Sequence, residues 1–256
     1  MSRSRQHASW PVTALAKEYP RGWHITRHRH RRGQLIYANT GVMRVATREG
    51  IWIVPPQRSL WIPPRMEHEL HMEGQVAVRM LYLDPPTSAA YGHHCRALAV
   101  SPLLRELVLA AVQAHGDRHI ERMAMLAPLL LHEMQVAPET AFRIPMPSDP
   151  RLRRVCQRLL AGTHRAETLE QLAARAGASS RTLARLFESE LHMSFVRWRQ
   201  HVRLAHALSQ MSLGHSIKTV ARDAGYASCS AFISMFHRVL GMTPTAYLAQ
   251  VAGTGS

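Results

Sequence analysis

Leu172-Ala-Ala-Arg-Ala-Gly177 and Val220-Ala-Arg-Asp-Ala-Gly225 are variants of one six-residue phrase, set 48 residues apart. Downstream, Leu186-Phe187 and Leu191-His-Met-Ser194 return 49 residues later as Met235-Phe236 and Leu240-Gly-Met-Thr243. Each copy reads as a short helix, a glycine-containing turn and a second helix, the layout of a helix-turn-helix. The details agree within each copy. Thr168 with Gln171 forms a capping box that opens Leu169–Ala176. Gly177 and Gly225 stand where a helix end wants a left-handed residue, and Ser179 and Ser228 can cap the helices that follow. Leu183, Leu186, Phe187 and Leu191 recur at helical spacing as one apolar face, as do Phe232, Met235, Phe236, Val239 and Leu240. These residues form core rather than a recognition surface.

Between the copies, Ser194 to about Leu213 predicts one long helix with Phe195, Trp198, Val202, Ala205 and Leu208 on its buried stripe. Arg199, Arg203 and His206 fall off that stripe. Some 20 residues at ~1.5 Å each give about 30 Å. Successive major grooves on one duplex face recur every ~34 Å, so this helix can hold two recognition helices in adjacent grooves.

Outward from the repeat, Pro138, Pro145, Pro147 and Pro150 punctuate an expected linker at 136–149. Before it, Ser101–Ala114 and His119–Gln135 read as a helical hairpin turning at Gly116-Asp117, with Pro128 expected to kink or break the second helix. Earlier still, short runs such as Leu35–Ala38, Val42–Thr47, Ile51–Val54, Leu60–Ile62, His68–Met72 and Val76–Leu83 predict an all-β sandwich or barrel. The expected organisation is a β domain at 1–90, a hairpin at 91–135, the linker, and an all-α domain at 150–256 with two helix-turn-helix units. The fold class is α+β.

The chain has 256 residues and carries 32 Lys+Arg against 17 Asp+Glu, a formal net charge of +15. Only Lys17 and Lys218 are lysines, so the surplus is almost all Arg, whose planar fork suits phosphates and base edges. Residues 1–90 and 148–256 hold the positive excess, while 91–147 are neutral. Nucleic acid or an acidic ligand is the partner this favours. Cys95, Cys156 and Cys229 are too dispersed for a disulfide framework or a paired-cysteine metal site. The basic start lacks the apolar core of a signal peptide. Apolar stretches such as Leu107–Val112 are too short to cross a bilayer, so a cytoplasmic protein without membrane contact is expected.

Residues 150–250 resemble the DNA-binding domain of the AraC/XylS family of transcriptional regulators. The residues that carry the likeness are Leu172–Gly177, Ser180-Arg-Thr-Leu-Ala-Arg-Leu-Phe187, Gly225-Tyr226, Ser228, Phe232, Phe236 and Leu240-Gly-Met-Thr-Pro244. The resemblance implies recognition helices at Ser179–Leu191 and Ser228–Gly241. In the first, Ser179, Ser180, Arg181, Thr182 and Arg185 are the DNA-binding candidates, Arg being the usual reader of guanine edges. In the second they are Ser228, Ser230, Ser234 and Arg238. Cys229 and Ile233 also face outward there, so shape and thymine-methyl contacts are expected to outweigh hydrogen-bond readout.

His28-Arg-His30, then Gln34, Gly41 and later His68, resembles the paired signatures of the cupin barrel, a domain common at the N-terminus of AraC-like regulators. With Gly33–Tyr37 and Trp52–Gln57 the arrangement is similar to the nitroimidazole-response branch of the family. What it implies is a divalent metal (Zn, Ni, Cu or Fe) on His28, His30, Gln34 and His68. Gln34 stands where metal cupins usually carry Glu, and Arg29, Arg31 and Arg32 add positive charge. A remnant motif or an organic-ligand pocket is the alternative. Tyr37, Trp52 and Trp61 are candidate pocket residues, with ordinary core packing as the plainer reading. His93-His94 beside Cys95 has no partner pair at fixed spacing.

These resemblances imply a ligand- or metal-responsive regulator that binds double-stranded promoter DNA, with RNA polymerase as a further partner of an activator. Homodimerisation through Leu126, Leu129, Leu130 and Met134 is expected, against burial of those residues within the monomer. The chain is read as a non-enzyme. A metal-dependent cupin enzyme, a dioxygenase or isomerase with an attached DNA-binding domain, is the alternative.

Overall fold

The computed structural model describes residues 10–114, 119–139, 143–160 and 167–252. The chain forms two compact units, one chiefly of residues up to 141 and one spanning 142–249. In the first, the strands are β1 (Val12–Tyr19), β2 (His24–His28), β3 (Gly33–Thr40), β4 (Met43–Thr47), β5 (Gly50–Val54), β6 (Arg58–Ile62), β7 (His68–Met72) and β8 (Val76–Leu83). The short helix α1 (Pro85–Ser88) and a single 3₁₀ turn lead to β9 (Arg96–Ala99), followed by α2 (Pro102–Gln113) and α3 (His119–Val136).

These strands make two antiparallel sheets rather than the closed barrel the sequence allowed. One sheet runs β1-β8-β3-β6-β9 and the other β5-β4-β7-β2. The sheets face each other across Ile36, Ala38, Leu60, Ile62, Val78 and Met80 on one side and Met43, Val45, Trp52, Val54 and Leu70 on the other. The opposite face of the first sheet presents Leu35, Tyr37, Trp61, Leu81 and Leu83 to Leu104, Leu107 and Val108 of α2 and Met123, Leu130 and Met134 of α3. Side chains of a strand alternate faces. With sheet on one side and helices on the other, both faces of β3 are dry, so its first six residues are all buried. Gly33 begins β3 because a Cβ there would lie 2.1 Å from Cη2 of the fully buried Trp61.

The helical pair is therefore part of the first unit, not a separate module. Leu130 and Met134 are fully buried and Leu126 partly so, while Leu129 stays exposed; only Leu129 of the expected dimer surface faces outward fully. Helix α3 runs unbroken through Pro128, which lies on its exposed side where water can serve the carbonyl left without a donor. The expected Gly116-Asp117 turn lies outside the described residues. The expected linker at 136–149 is described on either side of residues 140–142. Ala99 N donates to Pro138 O (2.9 Å) within the first unit. In the second, Ile144, Pro145 and Pro147 are buried, and Ser148 N donates to the Glu190 carboxylate (2.6 Å).

The second unit comprises α4 (Pro150–Leu160), α5 (Leu169–Ala176), α6 (Ser180–Leu191), α7 (Phe195–Ser212), α8 (Ile217–Asp223), α9 (Cys229–Leu240) and α10 (Pro244–Ala252). Its boundaries follow from local chemistry. Both halves of the Thr168/Gln171 capping box form, Ser179 and Ser228 each accept a backbone N–H, and Gly177 and Gly241 close α5 and α9 with φ near +70°. Along α7 the expected stripe is buried, but so are His201, Leu204, Ala207 and Met211, because helices cover more than one side of it. Helices α4, α5 and α6 pack together, α4 reaches α7, and α8 packs on both α7 and α9.

Candidate effector site and nucleic-acid interface

In the first unit the β2–β7 register sets His28 opposite His68. His30 follows in the turn after β2, and its carbonyl accepts from Arg65 N at 2.7 Å, which ties that turn to the residues just before His68. Arg65 does this with φ +63°, a left-handed conformation unusual for a residue bearing a Cβ. The outcome is a three-imidazole cluster. Ring centroids lie 4.8 Å (His28–His30), 4.3 Å (His28–His68) and 5.4 Å (His30–His68) apart, and one ring nitrogen from each falls within 4.8 Å of the others.

The protonation chemistry suits ligation. Nδ1 of His68 donates to Met66 O at 2.9 Å and Nδ1 of His28 to Thr26 O at 2.8 Å, which leaves Nε2 of each as the nitrogen able to bind a ligand. His68 Nε2 is buried with no hydrogen-bond partner. Burial is the main cause that pushes His30 down to about 4, with His28 adding to it. His68 is also pushed down to about 4, mainly by burial, with the Met66 carbonyl opposing. Imidazoles held neutral, as His30 and His68 are, are what a metal ion requires.

A pH prediction follows for the metal-free chain. An unfolded histidine titrates near ~6.5, so between about pH 6.5 and 4 the unfolded chain takes up protons that folded His30 and His68 refuse. Stability is complete above that window and is lost as pH falls through it. Chelator-treated protein should therefore melt at progressively lower temperature from about pH 6.5 downward, and His30→Asn/His68→Asn should flatten the trend. An identical slope in wild type and variant would assign the acid sensitivity elsewhere.

Gln34 is buried, but the contact the structure gives it is with Tyr82, to whose hydroxyl its Nε2 donates at 3.1 Å. That hydroxyl donates in turn to Met80 Sδ at 3.6 Å, and the Tyr82 ring stands edge-on to His30 at 5.5 Å. Gln34 Oε1 is buried with no hydrogen-bond partner, and Tyr82 is a neighbour that sequence reading missed because nothing in its local pattern marks it. Arg32 is committed to backbone carbonyls. It is buried, and its guanidinium donates to the carbonyls of Trp10 (2.6 Å), Pro11 (3.1 Å) and Tyr82 (2.9 Å), pinning the segment before β1 to β8.

The candidate pocket aromatics do not form one pocket. Tyr37 and Trp61 are fully buried on the helix-covered face of the first sheet, whereas Trp52 lies between the sheets. Strand alternation separates them, so they are core. His94 is exposed and pairs with Glu49 (3.0 Å), whose other oxygen accepts from Cys95 N (2.9 Å); this holds a loop.

In the second unit, Arg181 and Arg185 of α6 are exposed, Thr182 and Ser180 are half-buried, and Leu183, Phe187 and Leu191 face inward. Ser179 Oγ accepts from Thr182 N (3.1 Å) and lies 2.8 Å from Thr182 Oγ1, so it is committed to the cap. In α9, Ser230, Ser234 and Arg238 are exposed, and Cys229 and Ile233 half-buried. Ser228 Oγ accepts from Ala231 N at 3.1 Å. Two capped helices thus each show a solvent-facing strip, with Arg181 and Arg185 on α6 and mostly small side chains on α9.

Two repeated helix-turn-helix units behind a β domain with a convergent polar cluster define a DNA-binding regulator with a ligand-binding domain. The comparisons agree: a helix-turn-helix domain matches residues 172–250, and the AraC-like ligand binding domain matches residues 11–196. The chain belongs to the AraC family of transcriptional regulators. It is 34% identical over 225 residues to the HTH-type transcriptional regulator NimR of Escherichia coli K12, covering 88% of this chain and 82% of that one. It is 30% identical over 148 residues to the arabinose operon regulatory protein of Salmonella typhimurium, covering 56% and 50%. A solved structure of ToxT from Vibrio cholerae O395 aligns over 95% of this chain and 99% of that one, with TM-score 0.42 and 12% identity. These relatives are regulators, and nothing in them supports the enzyme alternative. Among the described residues, no helix is long and apolar enough to cross a membrane.

Proposed function

We propose that this regulator senses a metal ion, or a small molecule that binds through one, at His28, His30 and His68, and reads promoter DNA through α6 and α9. The convergence of three imidazoles, with His68 Nε2 buried and unpartnered, carries the sensing half of the reading. Three nitrogen donors suit Zn, Ni, Cu or Fe. Around a tetrahedral ion with bonds near 2.0–2.1 Å the ligand nitrogens sit ~3.3 Å apart, so the triad needs only a small contraction to hold one. A bound ion there supplies an open position for an exogenous donor. Gln34, tied to Tyr82, contributes no charge.

Effector binding alters regulation only through different affinities for two arrangements of the protein. The exposed apolar side chains of α3, Met125, Leu129 and Val136, support self-association as a homodimer. RNA polymerase joins the partners if the protein activates. On DNA, Arg181 and Arg185 are the base-edge candidates, with Thr182 and Ser180 beside them and Arg238, Ser230 and Ser234 on α9.

The test uses Arg185→Ala on a duplex selected from a random library by the wild-type chain. Loss of a bidentate guanine contact should cost about 1–3 kcal/mol on the selected duplex, roughly 5- to 150-fold, with a far smaller loss on unrelated DNA. Equal losses on both would reduce Arg185 to a phosphate contact.

A further inference from the structure

The long helix α7 carries two arginines one turn apart, and each is engaged by a different part of the DNA-binding unit. Arg199 Nη1 donates to Glu167 O at 3.2 Å, next to Thr168, the cap of α5. Its guanidinium also lies 4.8 Å from the centre of the Phe195 ring. The Glu167 carboxylate takes Arg158 of α4 (3.4 Å) and Arg175 of α5 (3.1 Å). Arg199 thus fastens α7 to the first helix-turn-helix.

Arg203, four residues on, meets the second. Its guanidinium lies 5.5 Å from the centre of the half-buried Tyr226 ring, a cation–π geometry. Tyr226 follows Gly225 in the turn joining α8 to α9. That turn is closed by Gly225 N donating to Arg222 O (2.9 Å) and Tyr226 N to Ala221 O (3.0 Å). Gly225 has φ +76°, and a Cβ added there would lie 3.3 Å from Arg203 Nη2. The missing side chain therefore leaves room for the guanidinium as well as allowing the turn. Beyond it, the Tyr226 ring packs edge-to-face on Phe232 at 5.6 Å, and Phe232 is fully buried on the inner face of α9. A chain of contacts runs Arg203–Tyr226–Phe232 from α7 to the first turn of α9. Like charges at i and i+4 repel, so keeping Arg199 and Arg203 so close needs strong local partners, and each has one.

We propose that Arg203 is a positioning residue: through Tyr226 and Gly225 it fixes the angle of α9 on α7, and thereby sets the spacing of DNA boxes that this chain accepts. This rests on the reading that α6 and α9 engage one duplex together. A duplex turns about 35° per base pair, so a recognition helix held rigidly must reject inserted base pairs, whereas a loosely held one tolerates them.

The experiment measures binding of the full chain to a selected two-box duplex, to the same duplex with two or five base pairs inserted between boxes, and to each box alone. Arg203→Met keeps the apolar stem and removes the guanidinium; Tyr226→Leu breaks the contact from the other side. Each variant should lose about tenfold on the two-box duplex and little on single boxes, and should discriminate less against insertions. Tyr226→Phe, which keeps the ring, should retain wild-type discrimination. The double variant should lose little more than either single one, the signature of a shared contact. Helical circular dichroism shows that each variant is folded; should Arg203→Met unfold, Tyr226→Leu and Tyr226→Phe carry the comparison. Equal losses on one-box and two-box DNA would make Arg203 a phosphate contact and overturn the proposal, as would unchanged insertion tolerance. A wild-type chain indifferent to inserted base pairs would remove the two-unit reading itself, and the proposal with it.

Discussion

Trp198→Ala should lower the melting temperature of the DNA-binding unit by at least ~12 °C and abolish specific DNA binding near the wild-type melting point. Trp198 is fully buried in α7 and is among the largest such side chains in the chain. Its ring lies 5.9 Å from that of Phe187, the inner anchor of α6, and its Nε1 donates to Pro145 O at 2.8 Å. One side chain therefore joins the connecting helix, the first recognition helix and the extended segment ahead of α4. Truncating a buried aromatic to Ala costs about 3–5 kcal/mol. A domain of this size holds only ~5–15 kcal/mol in all and shifts by roughly 4–8 °C per kcal/mol. Trp198→Phe separates the terms. It keeps most of the ring and leaves the Pro145 carbonyl without its donor, for about 1–3 kcal/mol. A shift below ~3 °C for Trp198→Ala, read by differential scanning calorimetry, would show that the helices hold together without it.

His28→Ala/His30→Ala should take metal content from about one ion per chain to near zero, because a lone buried imidazole at His68 holds no ion firmly. The chain must be untagged, since it carries 17 histidines that scavenge metal. Elemental analysis after dialysis against limiting Zn gives the stoichiometry. His28 is only partly buried but His30 is buried, so circular dichroism must first show the variant folded, and His28→Ala alone serves if it is not. The folded variant should keep its affinity for a selected duplex while losing any difference between metal-loaded and chelated protein. Equal metal content in variant and wild type would leave the triad as an organic-ligand pocket or a structural cluster, and the search for an effector would turn to small molecules. Loss of DNA binding with the second unit still folded would contradict the modular reading.

The two predictions draw on features that were unequally legible. Helix boundaries in the second unit are set within a few residues of chain, by caps at Thr168, Ser179 and Ser228 and by left-handed glycines at Gly177 and Gly241. Such signals survive in a bare sequence. The spacing of His28 and His30 marked a ligand pair for the same reason, since both sit within one short segment. Trp52, Tyr37 and Trp61 stayed open between two readings because an aromatic in a strand looks the same whether it lines a pocket or a core. The role of the helical pair stayed open between self-association and burial because its apolar stripe states that something covers it, not what does.

The sequence by itself determined the α+β class, the doubled helix-turn-helix, the family and the histidines worth testing, because each depends on local spacing or on residue order. Tertiary structure alone decided the rest. The first unit has two sheets and not a closed barrel; Leu130 and Met134 pack on the first sheet; Arg32 holds backbone carbonyls; and Arg203 reaches Tyr226 across 23 positions. Those outcomes depend on which faces meet and on strand register, and the free energy that selects them comes from burial shared among residues distant in sequence. No local pattern records that sharing.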